Sequence, residues 1–406
     1  MRVLFHPGQI GWQPNTRSSV TLPHMTARRE PSVRSIRDIE KVEPLASDNP
    51  GNMVHMEAPA RLLRHDEEAS LHANLWQLLS RFEGDQRSLA REIRRNFDLV
   101  VISEANIIRK NTEHGYRLVE LLGSLLRLVD LPIVVLGVGI QHEMPGTIGG
   151  VDPRLDAYID TLAAMAEVFG VRGQMTERYL HSVGHSKAVA LGCPSIFVDP
   201  SQILQMKAPA LEAHSPLAAA GYYDRASLAR SDRFSYRAVE AVAQCYPTSY
   251  VFQNDIMSFY HADGPYDGGS GEVDRVAVID ELRSHSTDTS IRSFHYFYDL
   301  AKWRAFLASR AAYVGDRLHC GIAALQAGAP SIILRPDYRV QEIVEYFDIP
   351  TMAPWDFMET DPRKSIADLL SPERLSMFKA TYVSRLEHFR EVMATTSTPM
   401  VARGAA

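Results

Sequence analysis

Short apolar runs alternate along this chain with longer segments whose apolar residues recur every three or four positions. Asp98-Leu-Val-Val-Ile-Ser103, Pro132-Ile-Val-Val-Leu136, Val168–Val171 and Ala188-Val-Ala-Leu191 read as strands. Residues 118–129, 155–169 and 176–183 carry helical spacing between them. The rhythm returns with strands at Ser249-Tyr-Val-Phe252, Ala312-Tyr-Val314 and Ser331-Ile-Ile-Leu334 and helices over 298–309 and 339–346, and residues 371–396 predict a long final amphipathic helix. Strands this apolar must be covered on both faces, which predicts parallel sheets flanked by helices.

The pattern weakens in two places. After a short first strand at Val3-Leu4-Phe5, residues 8–50 are rich in Pro, Ser, Arg and Asp and predict a long polar insert, partly helical near 33–42. Gly51-Asn52 then opens a helix, and residues 71–79 predict a second one with Leu71, Leu75, Trp76 and Leu79 on one face. The stretch over 200–231 is rich in Ala, Pro and Ser and reads as a junction. The expected fold is therefore α/β: an N-terminal Rossmann-like domain over 1–200 and a C-terminal one over 201–406, closed by the helix at 371–396. This resembles the two-domain GT-B architecture of glycosyltransferases, whose ligands lie at the carboxyl ends of the strands, between the domains.

Composition narrows the function. A chain of 406 residues with 45% hydrophobic and 23% charged content builds proper cores. Its formal net charge of −6 argues against nucleic-acid binding by bulk electrostatics. The apolar start ends at once in Pro7-Gly8, unlike a signal peptide, and no run is long enough to span a membrane, so a cytoplasmic protein is expected. Cys193, Cys245 and Cys320 are widely spaced and read as packing residues, not as a disulfide framework or a zinc site.

The chemistry concentrates where strands hand over to helices. Gly315-Asp-Arg-Leu-His319 places a permanent cation and an imidazole at the start of a helix lined with small residues. There a guanidinium fork suits a phosphate or carboxylate. The competing reading pairs Arg317 with Asp316 or another carboxylate and packs His319. Arg335-Pro-Asp-Tyr-Arg-Val-Gln-Glu342 follows the next strand; Asp337 fits a helix cap, and Arg339 and Glu342 are spaced to pair on the helix surface. Gly137-Val-Gly139-Ile-Gln141 would let a ligand approach backbone, and Val171-Arg172 offers a second arginine. Glu104, Asn106 and the Gly51-Asn52 entrance stand where loops meet regular elements and could bind sugar hydroxyls. No HExxH, Walker A or Asp-x-Asp pattern is present, and no metal is expected.

Taken in order, these elements resemble the polysaccharide pyruvyl transferases. The likeness rests on Gly315–His319 with its Ala-rich helix, Gly328-Ala-Pro330, Asp337, Arg339, Glu342 and Tyr346–Pro350. Val171-Arg172 with Thr176 and Leu180, Gly137–Ile140, and Gly51-Asn52 complete it. The departures are the long polar insert ahead of Gly51 and the glycine loop, whose usual proline could be Pro145 only after spacing changes. The resemblance implies transfer of a pyruvyl group from phosphoenolpyruvate to a saccharide or lipid-linked glycan acceptor, with ketal formation and no cofactor. A lipid-linked acceptor would bring the protein to the inner face of the membrane. It implies donor binding by Arg317, His319, Arg172, Gly139 and Arg339, catalysis by His319 and Arg317, and acceptor contacts at Asn52, Glu104, Asn106 and Gln141. The alternatives are a metal-independent glycosyltransferase using a nucleotide sugar and a non-catalytic anion- or glycan-binding protein.

Overall fold

The computed structural model describes residues 1–7, 32–39, 47, 49–109, 112–141, 152–223, 234–259, 269–284, 287–398, 400 and 401. Most of the polar insert and the residues just after Gln141, Pro145 included, lie outside these residues. The first half of the chain forms a parallel sheet of β1 (Val3–His6), β2 (Leu71–His72), β3 (Leu99–Ile102), β4 (Ile133–Val138), β5 (Ala166–Val171) and β6 (Ala188–Ala190). The second half forms another from β7 (Leu217–Ala220), β8 (Thr248–Phe252), β9 (Gly271–Val273), β10 (Ser293–Tyr296), β11 (Ala312–Gly315), β12 (Ser331–Leu334) and β13 (Thr351–Met352). Among the described strands only β9 runs antiparallel, against β10. The expected class holds: two Rossmann-like α/β units in a GT-B-like arrangement with a long C-terminal helix.

The strand orders are β2-β1-β3-β4-β5-β6 and β13-β12-β11-β7-β8-β10-β9. In the second sheet the order reverses between β7 and β11, so their following loops part and open a crevice at the carboxyl ends. Gly221-Tyr222 leaves β7 there and Asp316-Arg317 leaves β11, with Val314 level with Ala219.

Five helices matter for the site: α1 (Pro50–Leu62), α2 (Gln174–Ser182), α3 (Leu318–Gln326), α4 (Tyr338–Phe347) and α5 (Pro372–Ala394). Pro50 suits the first turn of α1, where its missing N–H is no loss, and the Asn49 side chain accepts from Gly51 N at 3.1 Å. In α5, Leu375, Phe378, Tyr382, Leu386, Phe389 and Met393 are buried at helical spacing. That face lies partly on the first half: Phe389 packs on Phe197 with ring centroids 4.6 Å apart, and Tyr382 donates to the Ile196 carbonyl at 3.3 Å. Beyond α5, Met400 bridges to Leu63 and Val401 N donates to the Leu62 carbonyl at 2.8 Å. One apolar core accordingly runs through both halves. Among the described residues no helix is long and apolar enough to cross a membrane.

Three local expectations need correction. Residues 71–79 are not one helix: Leu71–His72 pair with β1, and Asn74 caps a helix over Leu75–Arg81 by accepting from Trp76 N at 2.9 Å. The cap separates two elements that share apolar spacing. The helix read over 155–169 ends at Met165, and β5 starts at the next residue. The Ala-rich stretch read as a junction contains β7, a fully buried strand between β11 and β8. Alanine has little strand preference of its own, and here burial on both faces decides.

Candidate functional site

Arg317 stands between β11 and α3 as the helix cap residue, with extended backbone. Its side chain turns into the second half. Nε donates to the Gly221 carbonyl at 2.7 Å, the guanidinium stacks on Tyr222 at 3.4 Å from the ring centre, and Nη2 lies 3.5 Å from Asp255 Oδ1. Asp255 is held by Tyr250 Oη at 2.5 Å and Gln253 N at 2.7 Å. Burial works against the Arg317 charge, but Tyr222, Asp255, Tyr250 and Asp316 together hold its pKa above the ordinary value. The nearest carboxylate is thus Asp255, from the turn after β8. Asp316 is itself buried. Burial pushes its pKa up to about 6 against the pull of Arg317.

Two residues on, His319 faces the first half. Its Nε2 is 3.6 Å from Cys193 Sγ, and its ring centre is 5.7 Å from that of His55 in α1. The helices approach closely because residue 51 is glycine: a Cβ there would lie 3.0 Å from His319 Cβ and 2.8 Å from Gln253 Oε1. His55 Nδ1 is 3.4 Å from Cys193 Sγ, and its Nε2 is 2.8 Å from Ser103 Oγ. Burial and the Arg172 charge push the His55 pKa down to about 3. Burial, His55, Arg172 and Arg339 press His319 well below its usual range. Both imidazoles are therefore neutral at neutral pH.

Arg172 follows β5 and is buried. Nη1 donates to Asn106 Oδ1 at 2.6 Å, and Nη2 donates to the Ala105 carbonyl. Its stem occupies the space over Gly139, so the glycine expected to admit a ligand admits this arginine. Burial pulls its pKa down to about 10, opposed by Glu342 and Cys193. Arg339, at the start of α4, donates to Asp337 Oδ2 at 3.2 Å, while Asp337 caps the helix by accepting from Val340 N at 3.0 Å. Glu342 does not pair with Arg339 on a helix surface. It is buried and accepts from Thr176 N at 2.6 Å and Thr176 Oγ1 at 2.9 Å, capping α2 from the opposite half.

The four residues expected on the acceptor side are not equivalent. Glu104 accepts from Tyr158 Oη at 2.9 Å and lies 3.3 Å from His6 Nε2. Asn106 holds Arg172, and Gln141 accepts from Arg109 at 3.0 Å. Asn52 donates to Ser47 Oγ at 3.1 Å from the first turn of α1, one residue from the His319 contact. Arg172 and His319 are brought together across the two halves, whereas Arg317 turns from His319 toward Tyr222 and Asp255.

Sequence reasoning did not single out Tyr222, Gln253 or Asp255, read Cys193 as a packing residue, and met His55 only as the end of the Gly51-Asn52 helix entrance. Gln253 is buried with its Nε2 unpartnered, and it follows β8 as Asp255 does. The polar run Gln253-Asn-Asp255 after an apolar strand was a usable signal. The convergence of residues 55, 193 and 319 was not, because no spacing connects them. Three buried or half-buried cations, two neutral imidazoles and an unpartnered amide gather at the strand ends, an arrangement whose charge is complementary to an anion.

Comparison with known proteins bears on this arrangement. No curated protein matches the chain. Among solved structures it is similar to HepE of Anabaena, described in complex with UDP, at 10% identity and a TM-score of 0.47, covering 98% of this chain and 100% of that one. It is also similar to the UDP-GlcNAc 2-epimerase of Methanocaldococcus jannaschii at 10% identity and a TM-score of 0.43, covering 75% of this chain and 79% of that one. Likeness this distant says nothing about activity. The family model for polysaccharide pyruvyl transferase matches residues 49–338, a span that runs from the cap of α1 through β11 and α3 to the first residue of α4. With most of the chain matched, including Arg172, Arg317 and His319, the protein belongs to the polysaccharide pyruvyl transferase family.

Proposed function

We propose that the protein transfers a pyruvyl group from phosphoenolpyruvate to a sugar of a glycan or exopolysaccharide precursor, forming a pyruvate ketal. The observation that carries the reading is the setting of His319: a neutral imidazole at a helix start, between the halves, under the charges of Arg172 and Arg339. Phosphoenolpyruvate carries a phosphate and a carboxylate and needs several cations in one place. Arg172, Arg339 and Arg317 supply them, and the space by Gly139 is shaped by Arg172. Bound anions would raise the His319 pKa toward neutrality, which fits a group that takes a proton from a sugar hydroxyl.

The reaction balances without an oxidant. One hydroxyl oxygen adds to the enol carbon while the methylene carbon gains a proton. Phosphate then leaves, and the second hydroxyl closes the ketal and gives up its proton. Asn52, beside His319, is the first candidate for the acceptor side; Glu104, Asn106 and Gln141 shape it through the residues they hold. The donor places the reaction in the cytoplasm, on a free or lipid-linked acceptor at the inner face of the membrane.

The test is incubation with phosphoenolpyruvate and a panel of galactosides, glucosides and mannosides. Inorganic phosphate and a ketal mass gain are expected together with at least one acceptor. Phosphate release without a ketal product, or neither signal with any acceptor, overturns the reading.

A further inference from the structure

Cys193, His55 and His319 reach one point from three distant segments: the turn after β6, α1 and the first turn of α3. Their ligating atoms all lie within 4.8 Å of one another. The sulfur is 3.4 Å from His55 Nδ1 and 3.6 Å from His319 Nε2. With bonds of about 2.3 Å to sulfur and about 2.0 Å to nitrogen, tetrahedral angles at zinc separate sulfur from each nitrogen by about 3.5 Å. Both sulfur–nitrogen separations match that value.

The surroundings fit as well. His55 Nε2 lies 2.8 Å from Ser103 Oγ, an outer bond that fixes the ring and turns Nδ1 toward the sulfur. Cys193 Sγ is 2.9 Å from Ser195 Oγ, whose O–H can donate to a thiolate. Cys193 and His55 are buried, so bulk water does not meet these contacts.

We propose that His55 Nδ1, Cys193 Sγ and His319 Nε2 bind one zinc ion that ties the first half to the second and keeps a fourth position for an oxygen ligand; in that state His319 is a ligand and no longer the free proton acceptor named above. Thiolate with two imidazoles disfavours magnesium and calcium and matches zinc. The ion and the thiolate together leave a single positive charge. Arg172 adds another, since its charge acts on all three ligands. An anionic oxygen, phosphate or carboxylate, is the class of ligand that suits the open position. The site escapes motif searches because its ligands are separated by more than a hundred residues on either side of Cys193.

Tag-free protein purified without chelator, analysed by plasma mass spectrometry, is expected to hold about one zinc per chain. The content should fall at least tenfold in Cys193→Ser and stay unchanged in Cys245→Ser. Cobalt(II) titrated into chelator-treated wild-type protein reads the site without relying on the fold of a variant. A thiolate-to-cobalt charge-transfer band at about one equivalent is expected, and it supports the site even where isolation has stripped the ion. No metal as isolated together with no cobalt band overturns the proposal, leaving a hydrogen-bonded thiol–imidazole cluster. Full zinc retained by Cys193→Ser, or stoichiometric copper with the blue absorption of a cupric thiolate, also overturns it. These readouts use no substrate, so they succeed or fail separately from pyruvyl transfer.

Discussion

Arg317 is fixed by a carbonyl, a ring face and a carboxylate at once, three demands that only a planar guanidinium meets. Arg317→Lys keeps the charge but cannot donate to Gly221, stack on Tyr222 and face Asp255 together. With charge-assisted bonds contributing about 1.5–3 kcal/mol each, its transfer rate is expected to fall more than tenfold, read as phosphate release. Its neighbour Asp316 makes a prediction of opposite sign. Burial raises its pKa to about 6, so the folded protein binds a proton there more readily than the unfolded chain. Stability from this group is present at low pH and is lost as pH rises through about 6. Asp316→Asn should therefore raise the melting temperature at pH 7, and the gain should shrink toward pH 4. A gain that does not change with pH would contradict the assignment.

At the scale of elements, the cap on α2 joins the two halves. Gly173 has no side chain with which to cap the helix, and a Cβ there would overlap Glu342, which reaches the Thr176 N–H from α4. Glu342→Ala removes that cap at a cost of ~1 kcal/mol, and exchange of the Thr176 amide should speed up roughly fivefold. Unchanged exchange would show that α2 holds its first turn by other means. This contact also marks the limit of what the sequence discloses. The alternation of apolar runs and helical spacing revealed the parallel sheets, the helix after Gly315 and the cap at Asp337, because each depends on neighbours within a few residues. Glu342 at α2, Asp255 at Arg317 and Arg172 over Gly139 depend on which strands lie side by side. The hidden position of β7 shows why: its Leu-Ala-Ala-Ala reads as a linker until β11 and β8 are set on either side of it.

At the scale of the molecule, α5 makes the halves one body by packing Phe389 on Phe197 and Tyr382 on Ile196. Phe389→Ala should cost about 3 kcal/mol, seen as a lower melting temperature together with faster amide exchange over residues 372–401. A drop in melting temperature without faster exchange in α5 would place the damage elsewhere. The same helix bears on how the protein is made. A ribosome delivers the first sheet early and α5 last, at roughly 5–20 residues per second. The apolar seat around Phe197 is thus bare for on the order of ten seconds while the second half is synthesised. During that interval the nascent first half is a client for chaperones, and chains terminated before α5 should be recovered as aggregate.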